Sequence, residues 1–139
     1  QAAENIALIA NGTGIAPFLG MIQENILRKN ISLFAGFRHD NDWVNSYRIF
    51  AEHQINQGQL EHFDFAFSRE ENKQYVMDLI RKNENYFAEL LAKNGTIMIC
   101  GSLKMQKDVE IILDEICQKF LGKPLQHFIK NGQILADCY

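Results

Sequence analysis

Five short apolar runs, separated by longer stretches of helical periodicity, constrain this chain more than any other feature. Ile6–Ala10, Ile31–Phe37, Phe63–Phe67, Thr96–Cys100 and Gln133–Asp137 each have a strand's length. Between them, helices are predicted over Pro17–Lys29, Asn45–Asn56, Gln74–Lys82, Asn85–Ala92 and Met105–Phe120. In the second of these, Ile49 and Ile55 stand among polar neighbours. In the last, Val109, Ile112, Ile116 and Phe120 are spaced for one buried face. Runs that stay apolar, rather than alternating, suit strands covered on both faces, as in parallel sheets. The strand–helix order then gives the α/β class, and right-handed crossovers leave few topologies. Ligands of such sheets bind beyond the carboxyl ends of the strands, at the switch point in strand order.

Composition narrows the function. A chain of 139 residues fits one domain, 1–139, with a core that needs no disulfide. A net charge of -3 argues against a broad nucleic-acid surface. No apolar run reaches the ~18 residues of a membrane span, and no signal peptide opens the chain. The cysteines, Cys100, Cys117 and Cys138, are odd in number and form no C-x-x-C pair, so neither a disulfide framework nor a metal site is expected. A reducing cytoplasm is the simplest setting. Only five residues precede the first strand pattern, which reads as the continuation of something longer.

Three strand ends carry candidate chemistry. Gly12-Thr13-Gly14-Ile15-Ala16-Pro17-Phe18 joins the first strand to the first helix. Its glycines permit a tight turn and a close backbone approach, and Pro17 suits a first helical turn. Free N–H groups there would face a pyrophosphate; an ordinary strand-to-helix turn explains the spacing equally well. Phe67-Ser68-Arg69-Glu70 closes the third strand, with Lys73 and Tyr75 shortly after. A hydroxyl, a guanidinium and an ammonium together can hold a phosphate dianion, and Tyr75 can stack on a base. Taken alone, these residues also describe a solvated loop. Ile99-Cys100-Gly101-Ser102 ends the fourth strand, where Gly101 would admit a flat ring close to the backbone. A strand-end cysteine by itself is more often packing.

Taken together, these strings resemble the NADP(H)-binding domain of the ferredoxin–NADP reductase superfamily. The Ser-Arg-Glu and Lys-Gln-Tyr-Val strings are similar to its diflavin branch, which includes sulfite reductase flavoproteins and NADPH–cytochrome reductases. The resemblance runs from about Ile6 to Tyr139 and implies a Rossmann-like parallel sheet, order 3-2-1-4-5, with helices on both faces. It also implies NADPH as ligand. Gly12, Thr13, Gly14 and Pro17 would take the pyrophosphate, while Ser68, Arg69, Lys73 and Tyr75 would take the 2′-phosphate and adenine. Arg38, in Gly36-Phe37-Arg38, would approach the phosphates; His39 is expected to face solvent. Gly101 and Ser102 would lie beneath the nicotinamide, with Met105 and Asp108 lining or buttressing the site. For Asp108, stabilising a helix N-terminus is an equal reading.

Cys100 would sit beside the hydride-bearing carbon and tune transfer, without a covalent intermediate. Asp137 would support the cofactor during transfer. Tyr139 would stack over a flavin and move aside for the nicotinamide; a frayed terminus is the alternative. Departures from the family pattern are Met77 for a usual Gln, Cys138 for a Val, and Gln133-Ile134 for Arg-Tyr. No flavin-binding Arg-x-Tyr-Ser segment is present. The implied flavin, FAD, would therefore lie on an upstream domain. An FMN domain and a haem or metal centre as electron acceptor are the further partners that the branch implies. The domain alone is not expected to be active. The competing readings are a single-flavin ferredoxin-type reductase and a non-catalytic nucleotide-binding module.

Overall fold

The computed structural model describes residues 4–139. Residues 1–3 lie outside the described residues. Five parallel strands, β1 (Asn5–Asn11), β2 (Asn30–Phe37), β3 (His62–Phe67), β4 (Thr96–Gly101) and β5 (Ile134–Cys138), form one sheet in the order β3-β2-β1-β4-β5. The expected class and strand order are both found.

The chain leaves β1 in one direction through β2 to β3, then returns to the far side for β4 and β5. Right-handed crossovers therefore send the two halves' helices to opposite faces. On one face, α1 (Ala16–Gln23) and α2 (Asp42–Asn56) bury Phe18, Ile22 and Ala51 against Leu8, Leu33 and Ala35. On the other, α3 (Val76–Lys82), α4 (Glu84–Ala92), α5 (Leu103–Ile116) and α6 (Leu125–Lys130) pack on Ala7, Ile9, Phe34, Ile97 and Ile99. Burial on both faces is why β1 and β2 read as unbroken apolar runs. A fully buried side chain such as Phe34 or Phe87 contributes roughly 1.5–3 kcal/mol.

Several element boundaries depart from expectation, each for a local reason. Helix α1 ends at Gln23, not Lys29. The buried Asn25 amide donates to the carbonyls of Lys29 and Gln59 and accepts from the Lys29 N–H. That ring of bonds competes with the helix, and Arg28 turns left-handed at φ 53°. Helix α2 starts three residues earlier than expected, because the Asn41 side chain caps it by accepting from the Val44 N–H. Its buried face is Val44, Ala51 and Gln54, leaving Ile49 and Ile55 exposed.

Helix α5 also starts early, capped by Ser102. Its last turn widens into a π-helical segment, Cys117–Leu121, closed by left-handed Gly122. The wide turn carries more residues per revolution, so Phe120 leaves the apolar stripe and is exposed, contrary to its spacing. Helix α6 has no counterpart among the expected helices; one turn and a half is too short to show periodicity.

Candidate functional site

Every candidate residue except Asp108 lies on the carboxyl edge of the sheet or in the first turn after it. The switch point falls between β1 and β4, where a crevice is expected.

At that crevice the backbone is fitted to glycine. Gly12–Ile15 forms a 3₁₀ turn that runs directly into α1, with Pro17 in the first helical turn. A Cβ on Gly14 would overlap the Cys100 carbonyl, so only glycine lets β1's loop lie against β4. Gly12 adopts φ 54° and has open space where a side chain would stand. Gly101 adopts φ 152°; a Cβ there would overlap Asn11 Oδ1 and come within 2.9 Å of Met105 Cε. Met105 is buried beneath this glycine, which fits the expected buttress.

Asn11 belongs to the site although no sequence motif singles it out. It occupies the N-cap position of the 3₁₀ turn but makes no cap bond to it. Its amide reaches across to β4 instead: Oδ1 accepts from the Ser102 N–H at 3.1 Å, and Nδ2 donates to Ser102 Oγ at 3.4 Å. Ser102 Oγ in turn accepts from the Met105 N–H at 3.1 Å, capping α5. The Ser102 hydroxyl oxygen thus accepts two structural bonds, and its own O–H is left to donate. The first N–H groups of the 3₁₀ turn have no helical acceptors and no capping side chain. They suit the oxygens of a bound pyrophosphate. The one signal of Asn11 in the sequence is a polar residue closing an apolar strand immediately before the glycine turn.

Cys100 and Asp137 are register partners across β4 and β5. Cys100 is buried, and burial first, then the Asp137 charge, pushes its thiol above the ordinary range. It is a neutral thiol, suited to packing against a ligand and not to attacking one. Cys138, in the place of the usual Val, packs against the core, with its Sγ 3.7 Å from the Ile99 carbonyl. Gln133 is also buried. Its Nε2 donates to the carbonyls of Leu91 and Gly95, which fixes the entry into β5. The two C-terminal departures, at Gln133 and Cys138, therefore have structural uses, and β5 is intact.

The terminus is not frayed. The Tyr139 N–H donates to the Gly101 carbonyl at 3.0 Å, and the Leu103 N–H donates to the Tyr139 carbonyl at 3.1 Å. The Tyr139 ring stays 73% exposed, and its hydroxyl lies 3.3 Å from Thr13 Oγ1. An aromatic face is therefore presented at the crevice, tied to the glycine turn.

Two strands away, the cationic candidates gather. The Ser68 N–H donates to the Phe37 carbonyl and the Arg69 N–H to the Arg38 carbonyl, so the ends of β2 and β3 are stitched together beyond the sheet. The Gln74 N–H closes the loop onto Phe67. Gly36 has Val76 Cβ only 3.2 Å from where its own Cβ would stand, which admits the start of α3 against β2. Lys73 Nζ lies 5.5 Å from the centroid of the half-exposed Tyr75 ring. Among the described residues, no carboxylate pairs with Arg38, Arg69 or Lys73. Arg48, Arg81, Lys82, Lys93, Lys104 and Lys119 all have acidic partners.

His39 is exposed, as expected, but it is not idle: its Nδ1 lies 3.0 Å from Glu70 Oε2. Asp108 sits in the second turn of α5 and pairs with Lys104 at 3.1 Å. No acidic residue occupies that helix's first turn, so the helix-start reading of Asp108 fails. Two shallow concavities lie away from this edge, one near Asn94, His127 and Gln133 and one along Lys107, Ile111 and Asp114. No described helix is long and apolar enough to cross a membrane.

Comparison with known proteins shows the family. Residues 8–110 match the family model for the oxidoreductase NAD-binding domain. The chain is 36% identical over 119 residues to the sulfite reductase [NADPH] flavoprotein alpha-component of Neisseria meningitidis, covering 80% of this chain and 19% of that protein. It is 32% identical over 133 residues to the NADPH–cytochrome P450 reductase of Salmo trutta, covering 88% and 22%. It is 35% identical over 136 residues to human methionine synthase reductase, covering 84% and 19%. The chain spans about a fifth of the length of these relatives.

Proposed function

The chain belongs to the oxidoreductase NAD-binding domain family, in its diflavin-reductase branch, and on that premise we propose that it binds NADPH and presents it to a flavin on another domain of a longer protein. One observation carries the reading. A single edge of the sheet holds a glycine turn whose cap residue faces elsewhere and, two strands over, three cations without carboxylate partners.

The nucleotide lies across that edge. The N–H groups of Gly12–Ile15 hold the pyrophosphate, aided by the helix dipole. Ser68, Arg69 and Lys73 hold the 2′-phosphate, Tyr75 stacks on adenine, and Arg38 contributes charge between them. Gly101 lets the nicotinamide rest against the backbone of β4, with Met105 beneath it. Bound NADPH supplies a hydride, and FAD, carried by an upstream domain, accepts it.

The chain's own contribution is positional. Cys100 and Asp137 line the reacting end, and the neutral thiol adds no competing charge. Tyr139 covers the site with its ring and yields to the nicotinamide. A cytoplasmic flavoprotein that passes electrons on, through an FMN domain, to a haem or metal centre is the setting this implies. The relatives matched favour it over a single-flavin reductase.

The test is a paired titration with NADP⁺ and NAD⁺. Wild type should prefer NADP⁺, and Arg69→Ala should abolish that preference. Equal weakening of both ligands would overturn the pocket assignment. In the intact flavoprotein, Tyr139→Ala should raise kcat/KM with NADH, since the ring no longer competes; an unchanged value would count against the covering role.

A further inference from the structure

The cation cluster stands beside acidic residues that ought to neutralise it. Glu70 directly follows Arg69, and Asp40 lies two residues from Arg38. Neither carboxylate pairs with the neighbouring guanidinium. Glu70 Oε2 is turned to the β2–α2 loop, 3.0 Å from His39 Nδ1, and it accepts from the Asp40 N–H at 3.3 Å. The Asp40 carboxylate is taken by Arg48 Nη2 at 3.1 Å. Arg48 is itself anchored by Asn45 Oδ1 and lies 6.0 Å from the Phe67 ring centroid. Glu70 and Asp40 are thus engaged by other partners, and Glu71, the third carboxylate of these loops, makes no ion pair, so Arg38 and Arg69 are left without an acidic partner among the described residues.

Resting on the NADPH reading above, we propose that the His39–Glu70 clasp is a positioning device for cofactor selectivity: it holds the Glu70 carboxylate off Arg69 and Arg38, so that these cations stay available for the 2′-phosphate. His39 and Glu70 act through the arginines and touch no ligand. Losing His39 frees Glu70 to compete with the phosphate for the same guanidinium groups. The ligand bearing the extra phosphate is affected far more, because the pyrophosphate is held chiefly by the Gly12–Ile15 N–H groups at β1.

Binding of NADP⁺ and NAD⁺ to the full protein tests this, with steady-state kinetics alongside. His39→Ala should weaken NADP⁺ roughly two- to fivefold, the range set by an exposed ion pair. KM for NADPH should rise while kcat and NAD⁺ binding hold. Adding Glu70→Gln to His39→Ala should restore NADP⁺ binding, since the competing charge is gone. Glu71→Gln, a neighbouring charge change outside the clasp, should not restore it. An unchanged His39→Ala, or a double variant as weak as His39→Ala, overturns the clasp. A wild type blind to the 2′-phosphate, or a silent Arg69→Ala, instead overturns the underlying NADPH reading.

Discussion

The two ends of the ligand edge are built differently. At the β1–β4 crevice the surface is backbone: Gly14 against the Cys100 carbonyl, Gly101 against Asn11 and Met105, and Ser102 bonded to Asn11 and capping α5. At the β2–β3 tip the surface is side chain: exposed cations on loops held by three backbone bonds and one His39–Glu70 contact. On the proposed reading, the first end would recognise what all nicotinamide dinucleotides share and tolerates almost no change of shape. The second would recognise what distinguishes one of them, through charge. Common binding and selectivity are therefore separable, both in space and in the kind of substitution that damages them.

The largest expected effect breaks the crevice. Gly14→Ala places a methyl group into backbone that cannot yield, so the cost should reach or exceed the ~1–3 kcal/mol of an overpacked core. A Tm lower by on the order of 10 °C is expected, with NADP⁺ and NAD⁺ weakened alike. A variant that melts normally and loses only NADP⁺ would erase the distinction between the two ends. Next comes Arg69→Ala, which should weaken NADP⁺ about 10- to 100-fold, the range of hydrogen bonds to a charged group, and leave NAD⁺ and Tm nearly unchanged.

Asn11→Ala sharpens the comparison from the structural side. It strips the Ser102 N–H of its acceptor and unties β1 from β4, at a cost of roughly 1–2 kcal/mol. Calorimetry should show a Tm lower by a few degrees, and both ligands should weaken together. The smallest effect is Asp137→Asn. The Cys100 thiol sits above its ordinary range through burial and then the Asp137 charge, so removing that charge lowers it. At pH 8 more thiolate forms, and alkylation of the folded protein should quicken by a few-fold. A slower rate would show that Asp137 does not act on Cys100 through charge.

Much of this site is legible in the amino-acid sequence, though unevenly. The glycine turn and the Ser-Arg-Glu loop stand out because their chemistry is local: glycines at a strand end and cations after one need no tertiary information to be noticed. Ser102 reads as a ligand contact, and folding adds a second use that the sequence does not show: its hydroxyl oxygen accepts from the Met105 N–H and from Asn11. Asn11 and the His39–Glu70 clasp are invisible in the sequence because each joins segments far apart along the chain, 91 residues in one case and 31 in the other. Phe120 is misplaced by its spacing because periodicity assumes 3.6 residues per turn and the π segment does not keep it. The apolar pattern makes helix α1 too long because the Asn25 side chain, not an apolar break, ends it.

By itself the sequence determined the strands and their parallel arrangement, and it pointed to the edge where a ligand is proposed. Apolar runs must be buried on both faces, and the residues that cannot be buried collect at strand ends. Tertiary structure alone decided which polar groups on that edge are occupied and which are left over. An amide that could cap a helix start holds a neighbouring strand instead, and a carboxylate that could quench an arginine grips a histidine. Such choices depend on distances between segments that only folding brings together, and hydrogen bonds and ion pairs are short-ranged enough that nothing else fixes them.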